Sequence, residues 1–400
     1  MNWIIVEDAL RNRQGHWAEF VQTFKEGLEE LGDEVQIIGP RNCEADFVSA
    51  LGVEAILPDS LWVREKSSSR VVAALSMSRW IAASFFVLSR RLVRLPRETI
   101  IFVPTVGIPH LILWWSLLFF CRIPAQAKLL LYFMATPVRI SSSGIPESWG
   151  LWGRVFFIIL GRLASASRSE RVTLAAETET LSAALGDLSG ARFETLPQPV
   201  RSMFAAAPRH SGSILIGSYG PARYEKGSDL MVSAIEEFLS STDRQDIKFA
   251  VQWMEDFDKA DGFTATIPDS LKSDSRFIHL NHLFAAGEYA QWLQETSLML
   301  LPYRKDYILR GSRVVLESIV HGIPAIVSSG TTLEEHISRF GDGVVCDASN
   351  PGALCNALAS AVRSLSLLTE SALAKSAKAR DHFSVAQFRR SLRESFSSQR

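Results

Sequence analysis

Two short stretches of this 400-residue chain contain side chains and backbone groups suited to holding a diphosphate. The first begins where an apolar strand-like run ends at Ser218, and it places Arg223 and Lys226 among glycines just before a helical pattern. Glycines let a backbone approach an anion closely, and two cations on one loop can reach the same phosphate. Taken alone, such a loop is also typical of an ordinary surface turn.

The second stretch predicts a helix start with its own anion-binding groups. Gly311 and Ser312 precede a helical run that continues to Val320, and the free N–H groups at a helix start attract anions. Arg310 adds a cation there. Glu317 lies on the same helix between apolar neighbours, where a carboxylate can accept two hydrogen bonds from a ribose diol; the alternative is an exposed helix glutamate.

Together the two stretches are typical of a nucleotide-diphosphate site. When a nucleotide leaves a sugar, negative charge grows on its terminal phosphate. Fixed cations at that point stabilise the transition state more than the ground state. Arg223 and Lys226 are therefore the candidate catalytic residues.

Strand-like runs alternate with helical patterns along nearly the whole chain, which predicts parallel sheets with crossover helices. The candidate strands of the first half are residues 3–6, 35–38, 99–103, 128–133, 172–175 and 192–196. Those of the second half are residues 213–217, 248–252, 276–280, 298–301, 325–327 and 344–346. Pro197 and Pro199, followed by small residues, predict a linker, so we expect two doubly wound α/β domains with a boundary near residue 200.

The charge is distributed unevenly. Between Asp59 and Arg171 there are 15 Lys/Arg and 5 Asp/Glu, a net charge of +10. Since the net charge of the whole chain is −1, the remaining residues carry −11. This asymmetry indicates an anionic partner for the first half, either a membrane surface or a phosphorylated acceptor; a solvated basic face is the alternative.

The basic half also contains three apolar, aromatic segments, at residues 79–97, 111–121 and 152–162. The most apolar of them, 111–121, is far shorter than the ~20 residues that a membrane-spanning helix needs. Each segment fits either a buried helix or a helix that dips into a membrane surface. Three such segments in one half favour a monotopic membrane contact.

Neither the cysteines nor the N-terminus indicates an oxidising compartment. The four cysteines are scattered without metal-ligand spacing, which supports neither a disulfide framework nor a zinc site. The first apolar run meets Glu7 and Asp8 at once and lacks a basic flank, so it predicts a first β-strand and not a signal peptide. We expect a cytoplasmic protein, peripheral on the inner face of the membrane.

The second half resembles a known enzyme family. Residues 213–239, with Arg223 and Lys226 between a strand and a helix, resemble the phosphate-binding stretch of retaining GT-B glycosyltransferases of the family 4 type. Residues 301–350, with Glu317 on the helix, resemble the donor-site block of the same family. The likeness covers residues 196–390, and in the first half it is architectural only.

The resemblance implies a GT-B fold, in which two Rossmann-like domains face a cleft. Residues 1–200 would form the acceptor-binding domain and residues 201–380 the donor-binding domain. Residues 381–400 would form a last helix that returns to the N-terminal domain.

Carried over residue by residue, the resemblance implies that Arg223 and Lys226 bind the donor diphosphate and that Glu317 binds the ribose. The donor-binding residues would be Gly15, Ser218, Arg223, Lys226, Tyr307, Arg310, Gly311, Ser312 and Glu317. The family usually has a second glutamate eight residues before the ribose-binding one, where this chain has Leu309. A subgroup with the pattern Tyr-x-x-Arg-x-Ser matches Tyr307, Arg310 and Ser312, which would replace the usual contacts.

Within the first half, the family often has a glycine-rich loop after the first strand and a histidine near the cleft. Gly15 and His16 are the candidates for the loop, with a solvent-exposed helix cap as the alternative. His110 is the candidate for the histidine, and with His16 it forms the candidate acceptor side. Many relatives carry a histidine after the strand at 128–133, and this chain has none there.

The resemblance implies a retaining glycosyltransferase of the hexosyltransferase type, acting in polysaccharide biosynthesis. It would move a sugar from a nucleotide-diphosphate donor to a lipid-linked or polysaccharide acceptor. Neither a metal nor a cofactor is expected, because basic side chains neutralise the leaving group and a departing phosphate oxygen can take the acceptor proton. Nucleic acid is not an expected partner. The alternatives are a catalytically silent GT-B-like nucleotide-binding scaffold and a GT-B sugar-nucleotide epimerase.

Overall fold

The structure is a computed structural model, which describes residues 1–12, 16–61, 70–96, 98–121, 123–134, 138–140, 146–148, 150–166, 171–207, 212–285 and 287–398. Contacts divide the chain into two compact units. Unit 1 consists of Met1–Pro199 and Ser384–Arg400, and unit 2 of Val200–Phe383.

Unit 1 is built on a parallel sheet, flanked by helices. Its strands are β1 Asn2–Val6, β2 Glu34–Pro40, β3 Val53–Leu57, β4 Thr99–Val103, β5 Lys128–Phe133, β8 Val172–Ala176 and β9 Glu194–Thr195, with a small antiparallel pair of β6 Val138–Ile140 and β7 Pro146–Ser148. In the described residues the sheet order is β3-β2-β1-β4-β5-β8-β9. The strand order reverses between β1 and β4, and ligands of open α/β sheets bind at the carboxyl ends beside such a point.

In the described residues, six helices connect the strands of unit 1. They are α1 His16–Glu30, α2 Ala45–Leu51, α3 Arg70–Leu92, α4 Ile108–Phe120, α5 Gly150–Ala166 and α6 Glu179–Ser189. On α1 the residues Phe20, Phe24 and Leu28 are fully buried, and their spacing of four places them on one face. Phe24 meets Phe102 of β4 with ring centroids 4.9 Å apart, which joins this helix to the centre of the sheet.

Unit 2 repeats the same layered design. Its main sheet consists of β10 Ile214–Ser218, β11 Ile247–Gln252, β14 Phe277–Leu280, β15 Leu298–Leu301, β16 Ala325–Ser328 and β17 Gly343–Cys346, in the order β14-β11-β10-β15-β16-β17 and parallel throughout. A short antiparallel pair lies outside it, β12 Phe257–Asp258 and β13 Thr264–Ala265. Here the reversal of strand order falls between β10 and β15.

Helices cover the sheet of unit 2 as well. They are α7 Ser228–Ser240, α8 Asp269–Ser273, α9 Glu288–Glu295, α10 Arg313–Val320, α11 Thr332–Phe340, α12 Pro351–Arg363 and α13 Leu365–His382. The start of α12 is specified locally, because the Asn350 side chain accepts a hydrogen bond from Gly352 N at 2.9 Å and Pro351 occupies the first helical position. His321, fully buried, bonds Met203 N at 3.0 Å and Glu317 O at 2.7 Å, which anchors the first residues of the unit to α10.

The last helix, α14 Val385–Ser398, belongs to unit 1. Phe388 meets Phe24 of α1 at 4.8 Å between ring centroids, and Arg389 forms a bidentate pair with buried Asp33 at 2.6 and 2.7 Å. Burial raises the pKa of Asp33, but the hydrogen bonds from Arg389, the N-terminal ammonium and Trp3 outweigh it, so the pKa is lowered. These contacts hold the two ends of the chain in one unit.

The predicted α/β class with two parallel sheets is confirmed, and each candidate strand coincides with a strand of the structure to within a few residues. The predictions missed β3, whose short run Val53–Leu57 contains Glu54, although Pro58 and Asp59 follow it as a turn signal. Its strand character depends on pairing with β2 at the sheet edge, a tertiary contact that no local pattern encodes.

Candidate active site

The two stretches singled out in the sequence lie side by side in unit 2. The loop with Arg223 and Lys226 follows β10, and the segment with Tyr307, Arg310 and Ser312 follows β15. These two strands are hydrogen-bonded neighbours and flank the reversal of strand order. The structure therefore places both stretches at the position where open α/β sheets bind ligands.

The loop after β10 is folded so that its lysine points back to the strand end. The Nζ atom of Lys226 lies only 2.7 Å from where a Cβ on Gly220 would be, and Gly220 has a φ of 95°. The Gly220 N–H donates to Gln252 Oε1 at 2.6 Å. A side chain at position 220 would push the ammonium away, which gives this glycine a role in the geometry of the site.

Segments after both strands are bound to each other. Arg304 pairs with Asp229 through two hydrogen bonds of 2.8 and 2.9 Å, and it also donates to the Tyr224 carbonyl. Gly227, at φ 65°, approaches the Pro302 carbonyl so closely that a Cβ would lie 2.1 Å from the oxygen. These contacts fix the 3₁₀ turn Tyr224–Lys226, which carries the lysine.

The surroundings of Lys226 disfavour its positive charge, so a bound anion would stabilise it. Burial and then the charge of Arg223 lower the pKa of Lys226 and Glu225 opposes them, with the net result that the pKa falls to about 8. The Arg223 side chain is 54% exposed, with its Nη1 atom 3.6 Å from Glu225 Oε1. An incoming phosphate would relieve the cost of holding the charged ammonium in this partly buried position.

Tyr303 joins the two stretches. This tyrosine follows β15 and is buried; its ring centroid lies 5.8 Å from Lys226 Nζ and 4.5 Å from the ring centroid of Tyr307. Burial raises the pKa of Tyr303, and the next cause is Tyr307, while a hydrogen bond with Ser312 lowers it. Tyr303 was not among the predicted site residues, although its position shortly after a fully buried strand was a usable signal.

The residues just before α10 combine an exposed arginine, Arg310, with a helix start. Arg310 is exposed and its guanidinium lies 5.4 Å from the ring centroid of Tyr307, while its carbonyl accepts a bond from Thr332 at 2.6 Å. Gly311 leads to Ser312, which precedes α10 and is 5% exposed. Leu309, at the position of the family's usual acid, is buried.

Glu317 lies on α10 and is only 2% exposed. Its Oε1 accepts from Arg313 at 2.9 Å and its Oε2 accepts from the Tyr289 hydroxyl at 2.5 Å. The interpretation as an exposed helix glutamate is wrong, because the side chain is buried. Binding of a ribose diol stays a prediction, and it requires the carboxylate oxygens to share or exchange these donors.

Unit 1 has a polar cluster at its own reversal of strand order. His110 of α4 receives the Gly107 N–H at Nδ1, at 3.1 Å, so its ring hydrogen is on Nε2, which bonds Asp8 at 3.0 Å. Glu7, beside it, accepts from Thr105 at 2.5 Å, and burial followed by the charge of Asp8 raises its pKa well above the usual range. From the sequence, Glu7 and Asp8 were interpreted only as evidence against a signal peptide.

Some candidates stay untested by these contacts. Gly15 lies outside the described residues, and His16 begins α1 with a side chain that the structure does not describe. The acceptor-side role of His110 stays a prediction. Within the described ranges, no group of three or more His, Cys, Asp or Glu side chains has an arrangement that could hold a metal ion.

Sequence comparison alone gives no relative: no protein-family model matches the chain, and no curated protein matches it. Comparison of structures does. Sucrose-phosphate synthase from Thermosynechococcus elongatus matches with a TM-score of 0.66 and 12% identity, over 99% of both chains. Anabaena HepE in complex with UDP-glucose matches with a TM-score of 0.63 and 12% identity, over 99% of both. These proteins share the two parallel sheets and flanking helices.

The chain has the GT-B fold. A third example is the E. coli trehalose-6-phosphate protein bound with UDP-2-fluoro glucose, which matches with a TM-score of 0.63 and 13% identity over 99% of both chains. At such low identity the likeness establishes the fold alone, so activity has to be argued from the site itself.

Proposed function

We propose that the protein is a retaining glycosyltransferase of the hexosyltransferase type, which takes a sugar from a nucleotide-diphosphate donor held by unit 2. The observation that supports this most is the union of Arg223, Lys226 and the start of α10 at the carboxyl ends of β10 and β15. The proposal also draws on the structural relatives, of which HepE is seen with UDP-glucose and the E. coli protein with UDP-2-fluoro glucose.

In the proposed reaction, Lys226 and Arg223 hold the diphosphate and stabilise the charge that grows on its leaving oxygen. Arg310, Gly311 and Ser312 add donors from the start of α10. The acceptor hydroxyl attacks on the face from which the nucleotide leaves, and a leaving phosphate oxygen takes its proton. This reaction uses neither a metal nor a cofactor.

For the acceptor we propose a lipid-linked or polysaccharide sugar, bound by unit 1, in polysaccharide biosynthesis. The proposed location is the cytoplasm, on the inner face of the membrane. The support is the basic and apolar composition of residues 59–171, which suits both an anionic membrane and a phosphorylated acceptor.

A catalytically silent nucleotide-binding protein with the same fold is the second candidate. Leu309 supplies no carboxylate near the transferred sugar, and Glu317 already bonds Arg313 and Tyr289. Both observations are compatible with nucleotide binding without transfer.

The first test measures binding of UDP, GDP and ADP, and of their sugar conjugates, by calorimetry. We expect one base to be bound. We expect Lys226→Ala to weaken its binding by about 10- to 100-fold, the range for a hydrogen bond to a charged group. Lys272→Ala removes a half-exposed lysine of α8 in the same unit and should leave binding unchanged.

The second test follows release of the nucleoside diphosphate and the anomeric configuration of the product by NMR, with lipid-extract and oligosaccharide acceptors. Transfer with retained configuration supports the proposal, and transfer with inversion contradicts its mechanism. Normal donor binding without turnover on any acceptor favours the silent protein. Absence of binding to every nucleotide refutes both candidates.

A further inference from the structure

Helix α3 of unit 1 has large apolar side chains on its exposed face as well as on its buried face. Trp80, Ser84, Leu88 and Leu92 recur every four residues and are at most 2% exposed, so they form the packed face. The opposite face carries Leu75 at 59% and Phe86 at 63% exposure, with exposed arginines between and after them. A helix face that contacts only water normally carries polar and charged side chains, so large apolar side chains mixed with arginines are unusual there.

The next two helices continue this face. α4 packs between α3 and α5, and its last residues Phe119 and Phe120 are 68% and 67% exposed. On α5, Leu151 and Ile158 are 74% and 56% exposed. The exposed arginines of these helices are Arg79, Arg90, Arg154 and Arg162. We call the outer surface of α3, α4 and α5 the three-helix face.

This face has a charge pattern that identifies its partner. The sequences of α3, α4 and α5 contain no Asp or Glu at all, while the exposed positions of α3 and α5 combine apolar residues with arginines, as in Leu151, Arg154, Ile158 and Arg162. A protein partner would usually be met by both signs of charge. An anionic bilayer offers only negative headgroups above a hydrocarbon layer, which matches arginines interspersed with aromatic and aliphatic side chains.

A groove on the same face adds room for a lipid. It has a volume of about 890 Å³ and is lined by apolar Trp115, Phe157 and Ile158 together with Arg154 and Arg162. Such a lining can take part of an acyl chain beside a phosphate. Arginine suits the phosphate because its planar fork can donate two parallel hydrogen bonds.

The packing of α3 indicates that it lies on a membrane and does not cross it. By length and composition alone, Val72–Leu92 could span a bilayer, because its mean hydropathy is 1.5 and only 17% of the stretch is buried. Core helices of soluble proteins pass the same test. However, Trp80, Leu88 and Leu92 are buried in unit 1, and α3 contacts both α4 and β3, so spanning would require these contacts to be given up.

We propose that the three-helix face is a monotopic binding surface for anionic bilayers, with the aromatic and aliphatic side chains in the headgroup boundary and the arginines on lipid phosphates. This deepens the proposed function, on which it rests for the reason to bind a membrane, by assigning the contact to particular helices. The expected contribution of each arginine is about fivefold in vesicle affinity at low salt, and it falls as salt screens the charges.

The experiment is co-sedimentation of the full chain with vesicles of phosphatidylcholine alone or mixed with anionic phosphatidylglycerol, at low and high salt and without nucleotide. The apolar variant is Phe86→Ser with Phe119→Ser. The charge variant is Arg79→Gln with Arg90→Gln. The matched control is Phe263→Ser, which removes an aromatic side chain of unit 2 with 71% exposure.

We expect binding to the anionic vesicles that weakens with salt. The charge variant should lose about 25-fold by the fivefold figure for each arginine, and the apolar variant should lose at least tenfold. Phe263→Ser should bind as the parent chain does. Because the changed side chains are exposed, thermal unfolding and nucleotide binding of the variants should be unchanged, which separates this proposal from that of glycosyl transfer.

Four outcomes of the vesicle experiment overturn the proposal. These are no sedimentation with anionic vesicles at low salt, equal binding to both lipid compositions, equal losses in the control, and unchanged binding in both face variants. A face that instead mediates self-association, seen as a dimer that the apolar variant dissociates without any vesicle binding, is a protein interface and also overturns it. Failure of sugar transfer with intact vesicle binding refutes only the proposed function.

Discussion

Replacement of Lys226 by methionine should stabilise unit 2 while it removes diphosphate binding. The lysine pKa falls from its ordinary value of 10.5 to about 8, chiefly through burial. At about 1.36 kcal/mol per pH unit, this corresponds to roughly 3 kcal/mol of unfolding free energy that the charged form costs at pH 7. Since part of the side chain reaches solvent, we expect a gain of about 1–3 kcal/mol from a methionine of similar length.

The sign of the pH dependence follows from proton binding. Between about pH 8 and pH 10.5 the unfolded chain holds the Lys226 proton more tightly than the folded chain does, so wild-type stability rises with pH there. The variant lacks this rise. The difference in unfolding free energy between Lys226→Met and wild type should be largest below about pH 8 and should vanish near pH 10.5.

Urea unfolding at pH 7 and pH 9.5, and thermal scans at pH 7, measure this difference. A unit of this size shifts by about 2–4 °C per kcal/mol. Lys272→Met, at a half-exposed position of α8, should change stability by less than about 0.5 kcal/mol. If Lys226→Met is no more stable than wild type at pH 7, or if the gap is the same at both pH values, the ammonium is not held in an unfavourable position and the reasoning is refuted.

Two further predictions concern the geometry of the same unit. Gly227→Ala should weaken nucleoside diphosphate binding at least tenfold and lower the melting temperature, because the new Cβ would lie 2.1 Å from the Pro302 carbonyl oxygen. The control is Gly262→Ala, at a similar positive φ but with nothing within 4 Å of the new Cβ. It should keep wild-type affinity in calorimetry. Loss of the ribose hydroxyls from the bound nucleoside diphosphate should weaken binding to wild type by about 10- to 100-fold and should matter far less to Glu317→Gln. Equal discrimination by both proteins would remove Glu317 from the ribose site.

The strands, and the loops that follow β10 and β15, were the parts most readable from sequence. Buried strands of parallel sheets are short apolar runs, and the run before Ser218 and the run before Pro302 have this form, so their carboxyl ends and the loops after them could be located. Edge strand β3 was missed because its pattern is weak without β2 beside it. The length of α3 was underestimated, since its exposed apolar residues blur the helical period that a normal amphipathic helix shows.

Contacts among the site residues could not be predicted in the same way. The position of Tyr303 after a buried strand is visible in the sequence, but only the folded chain shows that its ring centroid lies 5.8 Å from Lys226 Nζ. Glu317 was predicted to bind a ribose, but its hydrogen bond with Tyr289 depends on a helix 28 residues earlier in the chain. Side chains brought together by separate strands and helices are defined only when those elements pack.

By itself the sequence determined the alternation of strands and helices, the two parallel sheets and the loops in which Arg223 and Lys226 occur, because hydrophobic period, glycines and prolines act locally. Only the tertiary structure decided that the loops after β10 and β15 are neighbours, that Lys226 is partly buried with a pKa of about 8, and that α3 exposes Phe86 and buries Trp80. Burial and electrostatic shifts depend on which atoms replace water around a group, and those atoms come from distant parts of the chain.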